Sequence, residues 1–245
     1  MLNNLSKILT EIDKIQQQIA GIKPLSQTQI KDLRNYYKIG ITYSSNAIEG
    51  NTLNESETKI VIEEGITVSG KPLKHHLEAV GHAAAYDYIY SFLKQRELTE
   101  NNIKKLHKIF YQKIDEKNAG KYRKIQVYIT GSEHIPPKPK EVHELMANLI
   151  KWYNSSNEHP VVTAALLHQK LVIIHPFVDG NGRVARLLMN LHLIKNQLPV
   201  TIIPPVYRSE YIALLEKSHH DVEPFMEFIA NCVKQAQLEY LRLIM

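Results

Sequence analysis

His175, Asp179, the run Gly180-Asn181-Gly182, Arg183 and Arg186 fall within one short stretch, and each can act on a phosphate. Gly180 and Gly182 let the backbone turn sharply and approach a ligand closely. The turn leads into an apolar helix pattern of Val184, Leu187, Leu188 and Leu191. Its free N–H groups and dipole therefore favour an anion at the turn. Arg183 and Arg186, three apart, reach neighbouring faces of the first helical turn. Two guanidiniums beside such a nest suit a polyphosphate. Asp179 is a hard oxygen ligand of the kind Mg²⁺ takes alongside phosphate oxygens. His175, with an ordinary pKa of about 6.5, accepts a proton near neutral pH. Taken singly, each feature is ordinary: a histidine after an apolar run, a turn, a solvated helix face. Together they outline a nucleotidyl- or phosphoryl-transfer site.

These residues need a helix that ends at His175 and another that starts beyond Gly180. The spacing predicts helices from Pro160 to Ile174, where Pro160 suits a first turn, and from Asn181 to Lys195. Most of the remaining chain also reads as helix. Leu5, Ile8, Leu9, Ile12, Ile15 and Ile19 share one face, and Gly21 and Pro24 end that segment. Ser26 with Gln29 forms a capping-box start for a helix running to about Glu49. Further helices are expected at Glu55 to Glu64, Lys74 to Gln95, from Thr99 through Ile114, Glu141 to Tyr153, Ser209 to Lys217 and Val222 to Ile244. Between Gly120 and Pro139 the period changes. Val127 and Ile129 alternate with Tyr128 and Thr130 before Gly131-Ser132, which reads as a short β-hairpin. The expected fold is an all-α compact bundle with this hairpin.

The chain has 245 residues, 44% of them hydrophobic and 22% charged. That composition fits a globular core and excludes a disordered chain. No apolar run approaches a membrane span, so no membrane partner is expected. Lys7, Glu11, Asp13 and Lys14 interrupt the N-terminal segment, which argues for an amphipathic helix rather than a signal peptide. The single Cys232 fits a reducing, cytoplasmic setting. Net charge is +5, but 30 basic residues face 25 acidic ones without long blocks, so no nucleic acid partner is expected. His75-His76 with His82, and His219-His220-Asp221, lack the spacing of a structural metal site.

The stretch His175 to Arg186 reads H-P-F-V-D-G-N-G-R-V-A-R. It matches H-P-F-x-D-G-N-G-R-x-x-R at every specified position and so resembles the signature of Fic-domain proteins. The likeness covers the chain from about Thr42 onward and includes the segments Arg208 to Tyr211 and Asp221 to Ala230. It implies AMP transfer from ATP to a Ser, Thr or Tyr hydroxyl of an unidentified target protein. By this resemblance His175 is the catalytic base and Asp179 holds Mg²⁺. Gly180, Asn181 and Gly182 cradle phosphates, and Arg183 and Arg186 grip the β- and γ-groups. Phe177 anchors the loop, and Tyr211 is a candidate for the nucleotide pocket. The hairpin resembles a Fic flap, with Val127, Tyr128, Ile129, Thr130 and Gly131 as the segment that docks the target. Homodimers are common among related proteins, and the first helix offers a surface for one.

Ser45-Asn46-Ala47-Ile48-Glu49-Gly50-Asn51 is by itself a plain helix end, with Gly50 or Asn51 able to take the left-handed cap conformation. Beside the signature it resembles the inhibitory motif [S/T]-x-x-x-E-[G/N], of the class with an N-terminal inhibitory helix. Glu49 would then pair with Arg186, and Ser45, one turn away, would bond nearby. The resulting division is residues 1–95 with an inhibitory helix at about 27–50, a core at 96–200 with flap at about 120–138 and signature at 175–186, and closing helices at 201–245. Removal of AMP, use of another nucleotide, and a non-enzymatic nucleotide-binding regulator are the alternative readings. An appended DNA-binding domain is not expected after Ile244.

Overall fold

The computed structural model describes residues 4–245. Side chains that satisfy helix-end N–H groups set several of the starts. Ser26 and Gln29, Asn54 and Glu57, and Thr99 and Asn102 each form a reciprocal capping box, opening α2 (Gln27–Ile48), α3 (Glu55–Glu63) and α5 (Glu100–Tyr111). The other helices are α1 (Asn4–Ala20), α4 (Leu73–Ile89), α6 (Val142–Ser155), α7 (Pro160–Ile174), α8 (Asn181–Lys195), α9 (Arg208–Lys217) and α10 (Glu223–Ile244). The helix expected to reach Gln95 stops at Ile89, and a single 3-10 turn, Tyr90–Phe92, follows.

The apolar α7 and the adjoining α8 lie at the centre, as a helix apolar on all sides must. One apolar cluster joins Tyr86, Leu106, Phe110, Met146, Leu171, Phe177 and Leu187. A second joins Ile8, Ile12, Met189, Leu193, Phe225, Ile229 and Val233. Because α8 contributes to both clusters, its polar residues Arg183 and Arg186 are buried at 3% exposure each. Leu5, Ile8 and Ile12 of α1 are spent on the second cluster, against α10, so this face is not the free dimer surface that the sequence offered. Among the described residues no helix is long and apolar enough to cross a membrane.

The expected β-hairpin does not form: among the described residues there is no strand. Residues 120–138, the segment expected as the flap, form an irregular loop around a turn at Gly131, where Ser132 N–H bonds to the Ile129 carbonyl. Pro136 and Pro137 remove ladder donors from the returning arm. Side chains hold the two arms instead. Gln126 Nε2 donates to the Pro136 carbonyl at 2.8 Å. Arg123 donates to the carbonyls of Ile125 and Pro137. From α9, the Glu216 carboxylate accepts from Ser132 Oγ and from the N–H groups of Glu133 and His134. Alternation of apolar residues marks an extended segment, but a ladder also needs backbone donors on both arms.

Burial depresses six histidines: His82 and His168 to about 3, His107, His175 and His192 to about 4, and His219 below its ordinary value. In the unfolded chain each would titrate near the ordinary value of about 6.5. From about pH 6.5 down to about pH 4 the unfolded state therefore binds more protons, and stability falls as pH falls. Above about pH 6.5 these groups contribute no pH dependence. Thermal unfolding followed by circular dichroism should give a lower Tm at pH 5 than at pH 7.5. Equal values would show that these histidines are not held neutral.

Candidate active site

The loop from His175 to Gly180 is built by its own side chains. α7 ends at His175, whose backbone is left-handed at φ 50°, with its N–H bonded to the Leu171 carbonyl. Phe177 is fully buried and stacks on His107 with ring centroids 3.8 Å apart. Asn181 closes the loop from inside: its Oδ1 accepts from Phe177 N–H and its Nδ2 donates to the Phe177 carbonyl, both at 2.9 Å. His107 accepts the Gly120 N–H at Nδ1, which leaves Nε2 to donate to the Asp179 carbonyl at 3.0 Å. Gly180 is left-handed at φ 82°, and a Cβ there would also press on the Phe110 ring. The loop thus delivers the start of α8 with no side chain capping it, leaving its first N–H groups without intrahelical partners.

A carboxylate already sits at that helix start. Glu49 Oε1 is 2.7 Å from Arg186 Nη2, and a Cβ on Gly182 would collide with it. Arg186 is enclosed on its other sides. Nε donates to Ser45 Oγ and Nη2 to the Ser45 carbonyl, both at 2.9 Å, and Nη1 donates to Tyr211 Oη at 3.1 Å. Tyr211 is 2% exposed, and its hydroxyl also pairs with His168 Nε2. It therefore supports Arg186 from the core and shows no open ring face. Burial opposes ionisation of Glu49, but Arg186 and Arg183 outweigh it and hold the carboxyl below its ordinary pKa.

The second arginine is engaged differently. Arg183 Nη1 donates to Glu78 Oε1 at 2.8 Å, Nη2 reaches Asp179 Oδ1 at 3.3 Å, and the guanidinium lies over the Phe110 ring. Asp179 accepts from Gly180 N–H at Oδ1 and from Tyr111 Oη at Oδ2. Burial opposes its ionisation too, yet Arg183, the Gly180 N–H and Lys74 keep its pKa low. Its side chain is still 41% exposed. Among the described residues no three His, Cys, Asp or Glu side chains converge as a metal cluster. One ionised, reachable carboxylate beside an anion nest nevertheless fits Mg²⁺, which takes few protein ligands when phosphate oxygens supply the others.

His175 Nδ1 faces the Val172 carbonyl at 3.3 Å, which leaves Nε2 as the acceptor of the neutral ring. The loop and the flap meet at Arg123, 3% exposed. Its N–H bonds to the Pro176 carbonyl and its Nε donates to the His175 carbonyl at 2.8 Å. The same guanidinium holds both arms of the flap. Of the flap residues singled out, Tyr128 is 78% exposed.

Sequence reading placed His175, Asp179, Gly180, Asn181, Gly182, Arg183, Arg186, Ser45, Glu49 and Tyr211 in the site, and the structure gathers them around the start of α8. It passed over Glu78, Tyr111, His107, Arg123 and Glu216, and read Asn51 only as a candidate helix cap. Glu78 carried one usable signal: a carboxylate amid the Ala-rich face of α4, needing a buried cation as partner.

Fold and loop together define a Fic-domain protein. Residues 97–193 match the Fic/DOC family, so the chain carries a Fic domain of that family. It is 42% identical over 204 residues to the protein adenylyltransferase Fic of Drosophila erecta, and 41% identical to that of Drosophila melanogaster. Each match covers 81% of this chain, which spans only 41% of the relative's length. Fic-1 of C. elegans superposes with a TM-score of 0.89 at 29% identity, over 97% of this chain and 72% of that one. A Fic-domain-containing signaling protein of Bacteroides thetaiotaomicron gives 0.84 at 27% identity, over 99% and 97%.

Proposed function

We propose that this protein transfers AMP from ATP to a side-chain hydroxyl of a target protein and of itself, and that Glu49 keeps it inhibited. The observation that carries the reading is the uncapped start of α8, flanked by His175, Asp179 and Arg186 and already occupied by a carboxylate. The names of the Drosophila relatives support the reaction class.

The polyphosphate lies at the α8 N-terminus, where N–H groups and dipole stabilise its charge. Arg186 receives the γ-phosphate once Glu49 withdraws. Asp179 would hold Mg²⁺, which when bound would offset negative charge on the phosphates. His175 Nε2 takes the proton of the target hydroxyl while that oxygen bonds to the α-phosphorus. The bond from the α-phosphorus to its bridging oxygen breaks, and pyrophosphate leaves. Most of the protein's contribution is position and fixed charge. The flap presents the target segment beside His175, tied to the same loop through Arg123. With Glu49 on Arg186, a γ-phosphate meets a carboxylate instead of a free cation, and the nucleotide is held out of line. The lone Cys232 supports a reducing compartment.

The test uses the Glu49→Gly protein with Mg²⁺ and ATP labelled at either the α- or the γ-phosphate. Retention of the α-label alone is the expected result. Retention of the γ-label would mean phosphoryl transfer and would overturn the reaction class.

A further inference from the structure

Glu49 is not the only residue at the end of α2 that is tied to a signature arginine. The helix closes with a Schellman turn. Asn51 N–H bonds to the Asn46 carbonyl, Gly50 N–H to the Ala47 carbonyl, and Gly50 is left-handed at φ 91°. Glu49 is therefore held rigidly two residues before Asn51. The Asn51 side chain leaves the turn toward α4, where Nδ2 donates to the His75 carbonyl at 3.0 Å and to Glu78 Oε2 at 2.9 Å. Its Oδ1 accepts the Leu53 N–H. The other oxygen of the same carboxylate, Glu78 Oε1, takes Arg183 Nη1. Asn51, Glu78 and Arg183 are 8%, 4% and 3% exposed, so this chain of bonds is shielded from water. A charged hydrogen bond made there is stronger than the same bond at the surface.

We propose that Asn51 and Glu78 are positioning residues. They anchor the end of α2 to Arg183 and thereby set the register at which Glu49 meets Arg186. The inhibitory helix is then pinned to both arginines of the signature, through Glu49 at one and through the Asn51–Glu78 pair at the other. Only the first of these contacts competes with a phosphate; the second sets its geometry. This proposal rests on the inhibitory reading of Glu49.

The test compares Asn51→Ala and the nearly isosteric Asn51→Asp with the parent, each alone and with Glu49→Gly. Asp keeps the volume, removes the donor and sets a like charge against Glu78, so lost packing cannot account for its effect. Two quantities are read. Amide hydrogen exchange at Ile48, Glu49 and Gly50 should speed up on the order of tenfold in Ala and further in Asp. Self-modification with α-labelled ATP should rise in each single variant toward the Glu49→Gly level and rise no further in the double variants. Unchanged exchange in both variants would overturn the anchor. Faster exchange with parental self-modification, while Glu49→Gly is active, would overturn its role in inhibition. Were Glu49→Gly itself no more active than the parent, the inhibitory reading would fail separately and exchange alone would decide the anchor.

Discussion

His175→Ala should lower AMP transfer by about 10²–10⁴-fold in the Glu49→Gly protein, the range for loss of a general base, while ATP affinity stays near that of the parent. The geometry gives the reason. The His175 ring contacts the Val172 carbonyl through Nδ1, which leaves Nε2 as its acceptor, rather than bonding to the residues that would hold phosphate. Truncation removes the proton acceptor and leaves the α8 start, Asp179 and Arg186 intact. Burial sets the pH dependence, pushing His175 down to about 4. The neutral, competent ring then persists well below the usual imidazole range, so kcat/KM should not fall by half near pH 6.5. Bound polyphosphate places negative charge beside the ring and favours its protonated form, so the acid limb of kcat should lie at higher pH than that of kcat/KM. A large loss of ATP binding in His175→Ala would show that the ring is part of the binding site, and the assignment of a base would fall.

Glu49→Gly should raise self-modification roughly tenfold to a hundredfold. A hydrogen bond to a charged group is worth about 1.5–3 kcal/mol, and a competitor of that strength shifts a binding equilibrium by one to two powers of ten. The Glu49 side chain is 35% exposed, and solvent screening at that exposure favours the lower end. Two features make the variant clean. The Schellman turn uses backbone groups and Gly50, so the helix end does not depend on the Glu49 side chain. Arg186 keeps Ser45 and Tyr211 as partners, so it is not left buried and unpaired. Glu49→Gln, which keeps the shape and removes the charge, should activate less than Gly because it still stands against Gly182. Equal labelling of the parent and Glu49→Gly would refute inhibition by this residue.

Much of the molecule was legible in the linear sequence because the signals are local. Capping pairs three apart, Pro160 at a first turn and glycine after a periodic run placed most helix ends within a residue or two. The signature worked for the same reason, since its parts are close in sequence and one turn positions them. Ser45 and Glu49 were legible as a motif, and their contact with Arg186 was expected from the resemblance rather than from spacing.

Alternation of apolar residues in the flap suggested a ladder, whereas the fold satisfies that segment with Arg123, Gln126 and Glu216. Arg183 read as a free phosphate clamp, yet α4 brings Glu78 to it across a large gap in sequence, and the pair is buried. The sequence by itself determined the helices, the turn and the chemical groups at the start of α8. Tertiary structure decided the partners that no motif carried: Glu78 for Arg183, and the carbonyls around His175 and Pro137 for Arg123. The physical reason is range. Caps, turns and helical faces are set by neighbours a few residues away, but burying an arginine requires a partner, and only the packing of α2, α4 and α8 determines which one it meets.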